Sequence, residues 1–438
     1  MLSLSSLRVR MLPTFAAAQF GITRNDEGRR TPWHVLRGSG QFRWYFIGSV
    51  TSDFGTWLQN TAQVVLAYQL AHSVLAVGLV TFAQFTSPLL LGPWAGIVTD
   101  RFGGRRTLLG TQVVSAVAAA TLACLDLAGM LTIWMLVAGG MITGLNFTFA
   151  LPARNVTVSR LVPPDKLKPA FAMDSVSYNL GRAVAPLATM AMGAVGLTYA
   201  WAFAANAVSF VAFGIILTRV RMGARAETQR RPRVGDGFKI ACRDRRIMIL
   251  LLMVAAVTFA DDPILVLGPA IAKQMGAPPA LSAWFIAALG TGTVLGSFRR
   301  SRHRPTLRLA ATALAALALC MVLFTQAPAI WMAVLAALGA GASCLIANSV
   351  TRTVLTQLAG PEHNAAVMAV WAIAWAGSKP FASLIDGALG SWIGPHWTGL
   401  IFAAPALVPI VAIMLTAGWA PSLRVFYPQN LSQPTGPK

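Results

Sequence analysis

Hydrophobic and polar positions alternate along this chain in long blocks. From Phe42 onward, apolar runs are separated by short segments in which Arg, Pro and Gly are frequent. Each run is close to the roughly 20 residues that a helix needs to cross the bilayer core, and the runs lack the two-residue period of barrel strands. The pattern therefore predicts twelve transmembrane helices. They are expected at residues 43–69, 75–98, 107–129, 132–153, 172–194, 197–218, 247–270, 280–298, 309–326, 329–352, 364–389 and 396–419.

Composition supports the same class of protein. Of 438 residues, 56% are hydrophobic and only 11% are charged, whereas an average soluble domain has about 25% charged residues. So few charged side chains cannot cover the surface of a soluble globule, and so apolar a chain would not remain disordered. Four cysteines are too few for a disulfide-rich secreted domain. The expected fold class is therefore all-α, a polytopic membrane protein.

The charge is strongly unbalanced, with 35 Lys and Arg against 14 Asp and Glu and a formal net charge of +21. When the N-terminus is placed in the cytoplasm, all but three of these 35 cations fall in segments predicted to be cytoplasmic, including Arg154 after the fourth helix. The exceptions are Arg182, Lys273 and Lys379. This distribution follows the positive-inside rule. It predicts a multi-pass protein of the cytoplasmic membrane with both termini in the cytoplasm. The excess therefore requires no nucleic-acid partner, and no nucleic-acid-binding motif accompanies it.

The middle of the chain divides it into two similar halves. The longest polar stretch, residues 219–246, has the composition of a linker, and Gly144 and Gly341 fall in register when the halves are compared. Such repeats are typical of transporters. We therefore expect two pseudo-symmetric six-helix bundles. Met11 is an alternative start of the chain. The predicted division is a cytoplasmic tail 1–41, a first bundle 42–218, a basic linker 219–246, a second bundle 247–419 and a cytoplasmic tail 420–438.

A motif directly after the second helix is specific. It reads Gly96-Ile-Val-Thr-Asp100-Arg101-Phe102-Gly103-Gly104-Arg105-Arg106. It resembles the signature loop of the major facilitator superfamily, Gly-x-x-x-Asp-Arg-x-Gly-Arg-Arg, with a departure at Gly104. The resemblance implies a conformational latch, formed by Gly96, Asp100, Arg101, Gly103, Arg105 and Arg106, that holds the cytoplasmic sides of the halves together in the outward-open state.

Three further segments are similar to the transmembrane secretion effector branch of that superfamily, which contains multidrug and siderophore exporters. They are Ser52–Gln59 in the first helix, Pro152–Arg154 at the end of the fourth and Asn179–Pro186 in the fifth. The resemblance covers about Phe42 to Pro421. The intramembrane arginine that many proton-driven relatives carry in the fourth helix has no match in this interpretation.

Ionisable residues inside the predicted helices are costly and therefore informative. Asp53 lies near the middle of the first helix, and Asp261 and Asp262 lie before Pro263 in the seventh, where proline frees backbone carbonyls. These three acids are the candidates for proton or cation coupling. Because neighbouring helical positions point about 100° apart, both seventh-helix acids are not expected to face one cavity. A purely structural role, as satisfied polar groups, remains the alternative for each.

The other candidates are assigned to the cavity or to gating. Arg182 is expected either to neutralise one of the acids or to receive an anionic substrate, and Lys379 and Asp386 are expected in gating or ion pairing with other partners. These two are about 10 Å apart along one helix, which is too far for a direct pair. Trp371 and Trp375 lie one turn apart and are suited to an aromatic substrate, with lipid or core contact as the alternative. Asn146 and Asn348 are cavity candidates by the family resemblance.

The function favoured is secondary active transport of a small molecule by alternating access, with proton-coupled export of a drug-like or siderophore-like compound implied by the branch. An uptake transporter or facilitator on the same fold is one alternative, and a non-transporting sensor or assembly factor is another. No enzyme constellation, cofactor motif, metal-binding spacing or nucleotide phosphate loop is present in the sequence. The expected partners are the substrate, protons and the lipid bilayer, and the expected state is a monomer.

Overall fold

The computed structural model describes residues 35–36, 38–221, 223, 234–300 and 306–415. Within them the chain forms helices and turns and no strand, so the predicted all-α class is confirmed. Met11, nearly all of the predicted N-terminal tail, the C-terminal tail and the middle of the predicted linker lie outside the described residues.

The first half contains six helices in the predicted order. The Ser39 side chain starts the first of them by accepting a hydrogen bond from the Phe42 amide at 3.2 Å, and His72, with φ of 50°, ends it. The helices are α1 Gly40–Ala71, α2 Val74–Phe102, α3 Gly104–Leu127, α4 Ile133–Leu161, α5 Leu167–Ala194 and α6 Ala200–Arg219.

The second half follows a short amphipathic helix, Val234–Arg243, which we call the linker helix. One long stretch, Ile330–Trp392, is broken at Gly360, whose φ of 67° is not helical; glycine adopts this conformation without steric cost. The helices are α7 Arg245–Val266 with its short continuation Gly268–Gln274, α8 Ser282–Arg300, α9 Leu307–Thr325, α10 at 330–359, α11 at 361–392, and α12, formed by Pro395–Ala403 and Leu407–Leu415 around a turn.

Eight helices among the described residues are long and apolar enough to cross a membrane: α2, α3, α4, α6, α7, α8, α9 and α10. Their outward surfaces carry large exposed apolar side chains such as Trp134, Val113 and Leu335, which is typical of a lipid-facing surface. The segment that forms α12 is apolar but shorter. The remaining three, α1, α5 and α11, hold most of the buried charged residues described below.

The two halves repeat one packing arrangement. Gly144 of α4 lies against the backbone of Gln84 in α2, and Gly341 of α10 lies against the backbone of Leu289 in α8. A Cβ atom at either glycine would clash with a carbonyl group, so both pairs of helices need glycine for their close approach. These are equivalent helices of the two halves, as the register of the two glycines in the sequence predicts.

The molecule has two ends, which we name by the linker helix. The linker face holds the linker helix, the α2–α3 turn and the break at Gly360; the distal face holds the α1–α2 turn and the α11–α12 turn. The halves meet towards the distal face, where α2 packs on α11. Gly78 and Gly387 touch there through their backbones, and the Ser73 and Ser391 hydroxyls lie 3.1 Å apart. We call this contact between α2 and α11 the distal seam.

Candidate functional site

A first cluster of charged residues lies inside the N-terminal half, between α1, α4 and α5. The Arg154 guanidinium binds the Asp53 carboxylate through two hydrogen bonds, of 2.7 and 3.1 Å. Ser177 donates to the same carboxylate at 2.5 Å, and Ser49 accepts from Arg154 at 3.1 Å. A second acid, Asp174 of α5, lies 3.9 Å from Arg154. Asp53 is therefore buried with strong partners, as a charge in a membrane protein requires.

The position of Arg154 corrects the sequence interpretation. We predicted the fourth helix to end at residue 153 and Arg154 to lie in a cytoplasmic loop. Instead α4 continues through Pro152 to Leu161. About two helical turns thus separate Arg154 from the end of its helix. The prediction failed because an arginine after a proline has the sequence pattern of a loop, and the fourth helix does carry an internal arginine.

A second cluster joins α7 to α11. The Lys379 ammonium lies 2.5 Å from Asp262 and 3.9 Å from Asp261. Ser383, one turn after Lys379, donates a hydrogen bond to Asp262 at 3.1 Å. Asp262 is fully buried, whereas the Asp261 side chain is 14% exposed. The two neighbouring acids thus share one cation, and Asp261 is the more accessible of them.

Arg182 connects this second cluster to the N-terminal half. Its guanidinium on α5 lies 3.8 Å from Asp261 on α7 and 5.5 Å from the centre of the Trp57 ring on α1. Trp57 in turn packs edge-on against Tyr178, with 5.6 Å between ring centres. The pair formed by Arg182 and Asp261 is therefore an ion pair between the two halves. It lies where any relative movement of the halves would change its length.

Asp386 differs from the other acids. It lies on α11 two turns beyond Lys379 and is fully buried, and neither of its carboxyl oxygens has a hydrogen-bond partner among the residues that the structure describes. Lys379 and Asp386 were predicted to be too far apart for a direct pair, and in the structure Lys379 lies against Asp262 instead.

The balance of charge within the described residues is similar in both clusters. The first has two acids, Asp53 and Asp174, and one base, Arg154. The second has three acids, Asp261, Asp262 and Asp386, and two bases, Arg182 and Lys379. Each cluster therefore holds one more acid than base inside the protein. A surplus carboxylate in an apolar interior favours binding of a proton.

A comparison with known protein families decides the class of this molecule. The family model described as transmembrane secretion effector matches residues 30–424. This chain belongs to that family. The match covers both halves with their charge clusters, and the family consists of membrane transporters of the major facilitator type rather than enzymes.

Other transporters of this type are similar in sequence over part of their length. The MFS-type transporter YfiS of Bacillus subtilis (strain 168) is 24% identical over 274 residues, which is 58% of this chain and 62% of YfiS. Macrolide efflux protein A of Streptococcus pyogenes is 22% identical over 151 residues, 34% of this chain and 37% of that protein. The chain therefore spans less than two thirds of the length of these relatives.

Solved structures of other transporters share the fold of this protein. A bacterial homologue of the human lysosomal transporter Spinster, in its inward-facing and occupied conformation, has a TM-score of 0.69 at 14% identity; 86% of this chain and 96% of that chain are covered. The D-xylose–proton symporter has a TM-score of 0.64 at 15% identity, with 85% and 96% covered. At such identities the likeness shows the fold and nothing further.

The predicted signature loop of this protein lies on the linker face. Asp100 and Arg101 end α2, and Gly103, with φ of 84°, turns the chain into α3. Arg105 donates a hydrogen bond to the Thr218 carbonyl at the end of α6, within its own half. Gly96 is buried in α2 and Arg106 is exposed.

The cavity candidates lie on the helices α4, α10 and α11. Asn146 of α4 donates to the Ser115 hydroxyl at 2.6 Å, whereas the side-chain oxygen of Asn348 on α10 has no hydrogen-bond partner. On α11 the Trp371 and Trp375 rings are stacked with 6.3 Å between centres and 3° between planes. The two rings contact each other, and the Arg352 guanidinium of α10 lies 5.3 Å from the centre of the Trp371 ring.

Sequence reasoning missed part of the first cluster. Asp174 was not recognised among the intramembrane charges, although it lies eight residues before Arg182 in α5. Tyr45 of α1, which donates a hydrogen bond to Asp174 at 3.3 Å, was also missed. The sequence does contain a signal: Asp174, Ser177 and Gly181 are spaced three and four residues apart, which places them on one face of an otherwise apolar helix.

Proposed function

We propose that this protein is a proton-coupled secondary exporter that moves a drug-like or siderophore-like compound out of the cell. Membership of its family makes the protein a multi-pass transporter of the major facilitator type. Export is supported by its relatives, among which are proteins named as macrolide efflux proteins. It is also the activity implied by the sequence motifs of the branch.

The observation that carries the coupling proposal is that each charge cluster pairs a buried acid with a cation on another helix. Asp53 is held by Arg154 and Ser177, and Asp261 is held at 3.8 Å by Arg182 of the opposite half. When a proton neutralises Asp261, Arg182 loses its partner and the two halves lose a contact between them. When a proton neutralises Asp53, Arg154 loses its partner, and the helices α1 and α4 can shift within the N-terminal half. Protonation and movement of the halves are thereby linked.

The proposed cycle alternates between openings on the two faces. The halves meet at the distal seam, which corresponds to a protein closed on the distal face. The substrate would bind near the middle of the membrane between the halves. Rupture of the distal seam and of the pair between Arg182 and Asp261, with closure by the latch around Asp100 and Arg101, would open the distal face. Asn146, Asn348, Trp371 and Trp375 are the proposed contacts of the substrate.

The proposed orientation places the linker face in the cytoplasm. The α2–α3 turn carries Arg101, Arg105 and Arg106, and the linker helix carries Lys239 and Arg243. By the positive-inside rule these cations stay on the cytoplasmic side. In this orientation both termini lie in the cytoplasm. The protein is proposed to act in the cytoplasmic membrane as a monomer.

Transport in inside-out membrane vesicles tests this proposal. An acidic lumen should drive uptake of a radiolabelled macrolide, used as the probe, into vesicles that contain the protein, and a protonophore should abolish that uptake. Asp53→Asn should reduce gradient-driven uptake, with Asp126→Asn near the distal end of α3 as the matched control. Uptake of the probe that a proton gradient leaves unchanged would contradict proton coupling, and gradient-driven loss of probe from the lumen would indicate import.

A further inference from the structure

The acid that lies nearest to the distal seam has no partner. Asp386 of α11 has no exposed surface, and both of its carboxyl oxygens are buried without a hydrogen bond. Asp53 and Asp262 are also buried, but each receives hydrogen bonds and a cation. Asp386 is therefore unlike the other buried acids in its surroundings.

A carboxylate ion in such a place is strongly unfavourable, because it has lost water and gained no donor or cation. The charged groups that act on Asp386 are Asp262 from α7 and Lys379 from its own helix. If Lys379 moved from Asp262 to Asp386, the buried Asp262 would lose its cation. The facing helix α2 has no titratable side chain between residues 74 and 99. In this arrangement the neutral, protonated form of Asp386 is the stable one.

The location of Asp386 connects its proton to the contact between the halves. Its neighbour Gly387 lies so close to α2 that an added Cβ would come within 3.0 Å of the Gly78 Cα atom. One turn further, Ser391 accepts a hydrogen bond from the Leu75 amide at 2.8 Å. Six residues, or about 9 Å, separate Asp386 from the end of α11 at the distal face. Separation of α2 from α11 would thus bring water to this carboxyl group.

We propose that Asp386 is a proton-binding site whose occupancy closes the distal seam. While the seam is open, the carboxylate takes up a proton from water at the distal face and forms an O–H bond. The resulting neutral carboxyl group can be buried when the seam closes. Loss of the proton opens the seam again. The proposal rests on the movement of the halves in the proposed function, and it is independent of which ion drives transport.

Cross-linking across the distal seam tests this inference directly. The Ser73 and Ser391 hydroxyl oxygens lie 3.1 Å apart, so Ser73→Cys and Ser391→Cys place two thiols in reach of a disulfide only when the seam is closed. The full chain, with its four native cysteines replaced by serine, is reconstituted in liposomes and oxidised between pH 5 and 9. Asp386→Asn in the same background serves as the reference at each pH, which cancels the pH dependence of thiol oxidation itself.

We expect the ratio of cross-linked Asp386 protein to cross-linked Asp386→Asn protein to fall by up to about tenfold for each pH unit once the proton dissociates. Asp386→Glu should keep a pH-dependent ratio, and Asp126→Asn should behave as the Asp386 protein does. Identical profiles for Asp386 and Asp386→Asn would overturn the proposal. So would a profile that changes with sodium at fixed pH, since the site would then bind that cation.

The thermal midpoint of each variant reports whether it is folded. If Asp386→Asn is unfolded, Asp386→Ser supplies the neutral reference, and the same expected and contradicting ratios apply. Gradient-driven transport of the macrolide probe is measured in parallel. Absence of transport with a pH-dependent cross-link would count against the proposed function alone, and transport with a pH-independent cross-link would count against the Asp386 site alone.

Discussion

The Arg182 guanidinium of α5 lies 3.8 Å from the Asp261 carboxylate of α7, and this ion pair joins the two halves of the transporter. Both side chains are partly accessible, at 20% and 14%. The pair is thus close enough to stabilise one arrangement of the halves and open enough to be broken by water or a proton.

Neutralising either partner should weaken closure of the distal face. For Arg182→Gln or Asp261→Asn we expect loss of about 1 kcal/mol, which is about a fivefold decrease in the closed-to-open ratio. The cysteine pair at positions 73 and 391 measures this ratio at fixed pH. Because the two residues form one contact, the double variant should lose little more than either single variant. Additive losses would show that the two residues act separately.

The pair formed by Arg154 and Asp53 should also stabilise the folded protein. Arg154→Ala removes the cation from a buried carboxylate and should lower the stability of the folded state by about 3–5 kcal/mol. Arg154→Lys should recover part of this loss, since it keeps the charge but not the two-pronged geometry. Thermal unfolding in detergent measures both.

The matching double variant provides the control for that prediction. Asp53→Asn combined with Arg154→Gln removes both charges of the pair and leaves Asp174 as the one acid of the cluster, so this variant should be more stable than Arg154→Ala alone, which leaves two. An Arg154→Ala protein as stable as the original would contradict the account, because it would mean that Asp53 does not depend on its cation.

The close approach of α4 to α2 depends on Gly144. A Cβ atom there would meet the backbone of Gln84, so Gly144→Ala should destabilise the protein by about 1–3 kcal/mol. Gly110 of α3 has nothing within 4 Å of an added Cβ, and Gly110→Ala should be neutral or slightly stabilising. Equal unfolding midpoints for the two alanine variants would show that α4 can move away from α2 without loss of stability.

The proposed orientation can be read from two native cysteines. Cys124 near the distal end of α3 and Cys242 on the linker helix are both exposed. In single-cysteine proteins, a membrane-impermeant thiol reagent should label Cys124 in intact cells and Cys242 only in inside-out vesicles. The reverse pattern would place the linker face outside the cell.

The helical fold and the repeat were readable from the sequence because both depend on local patterns. Apolar runs of bilayer-spanning length predicted the helices, and the register of Gly144 with Gly341 predicted the repeated packing. The partners of the acids were not readable, since they depend on how each helix is rotated. Arg154 was assigned to a loop because Pro152 closely precedes it, and Asp174 was not recognised, so the partners of Asp53 were not predicted. Lys379 was recognised as important, but its partner, Asp262, was found only in three dimensions.

Proton movement driven by substrate tests the central claim most directly. Proteoliposomes with the linker face outside and a pH indicator in the lumen are given the macrolide probe, with no pH gradient imposed and the membrane potential clamped. The account predicts that the lumen becomes alkaline as the substrate enters, because protons leave in exchange, and that Asp53→Asn loses this signal while Asp126→Asn keeps it. Entry of the probe with no change in lumenal pH, or with acidification, would contradict proton-coupled export.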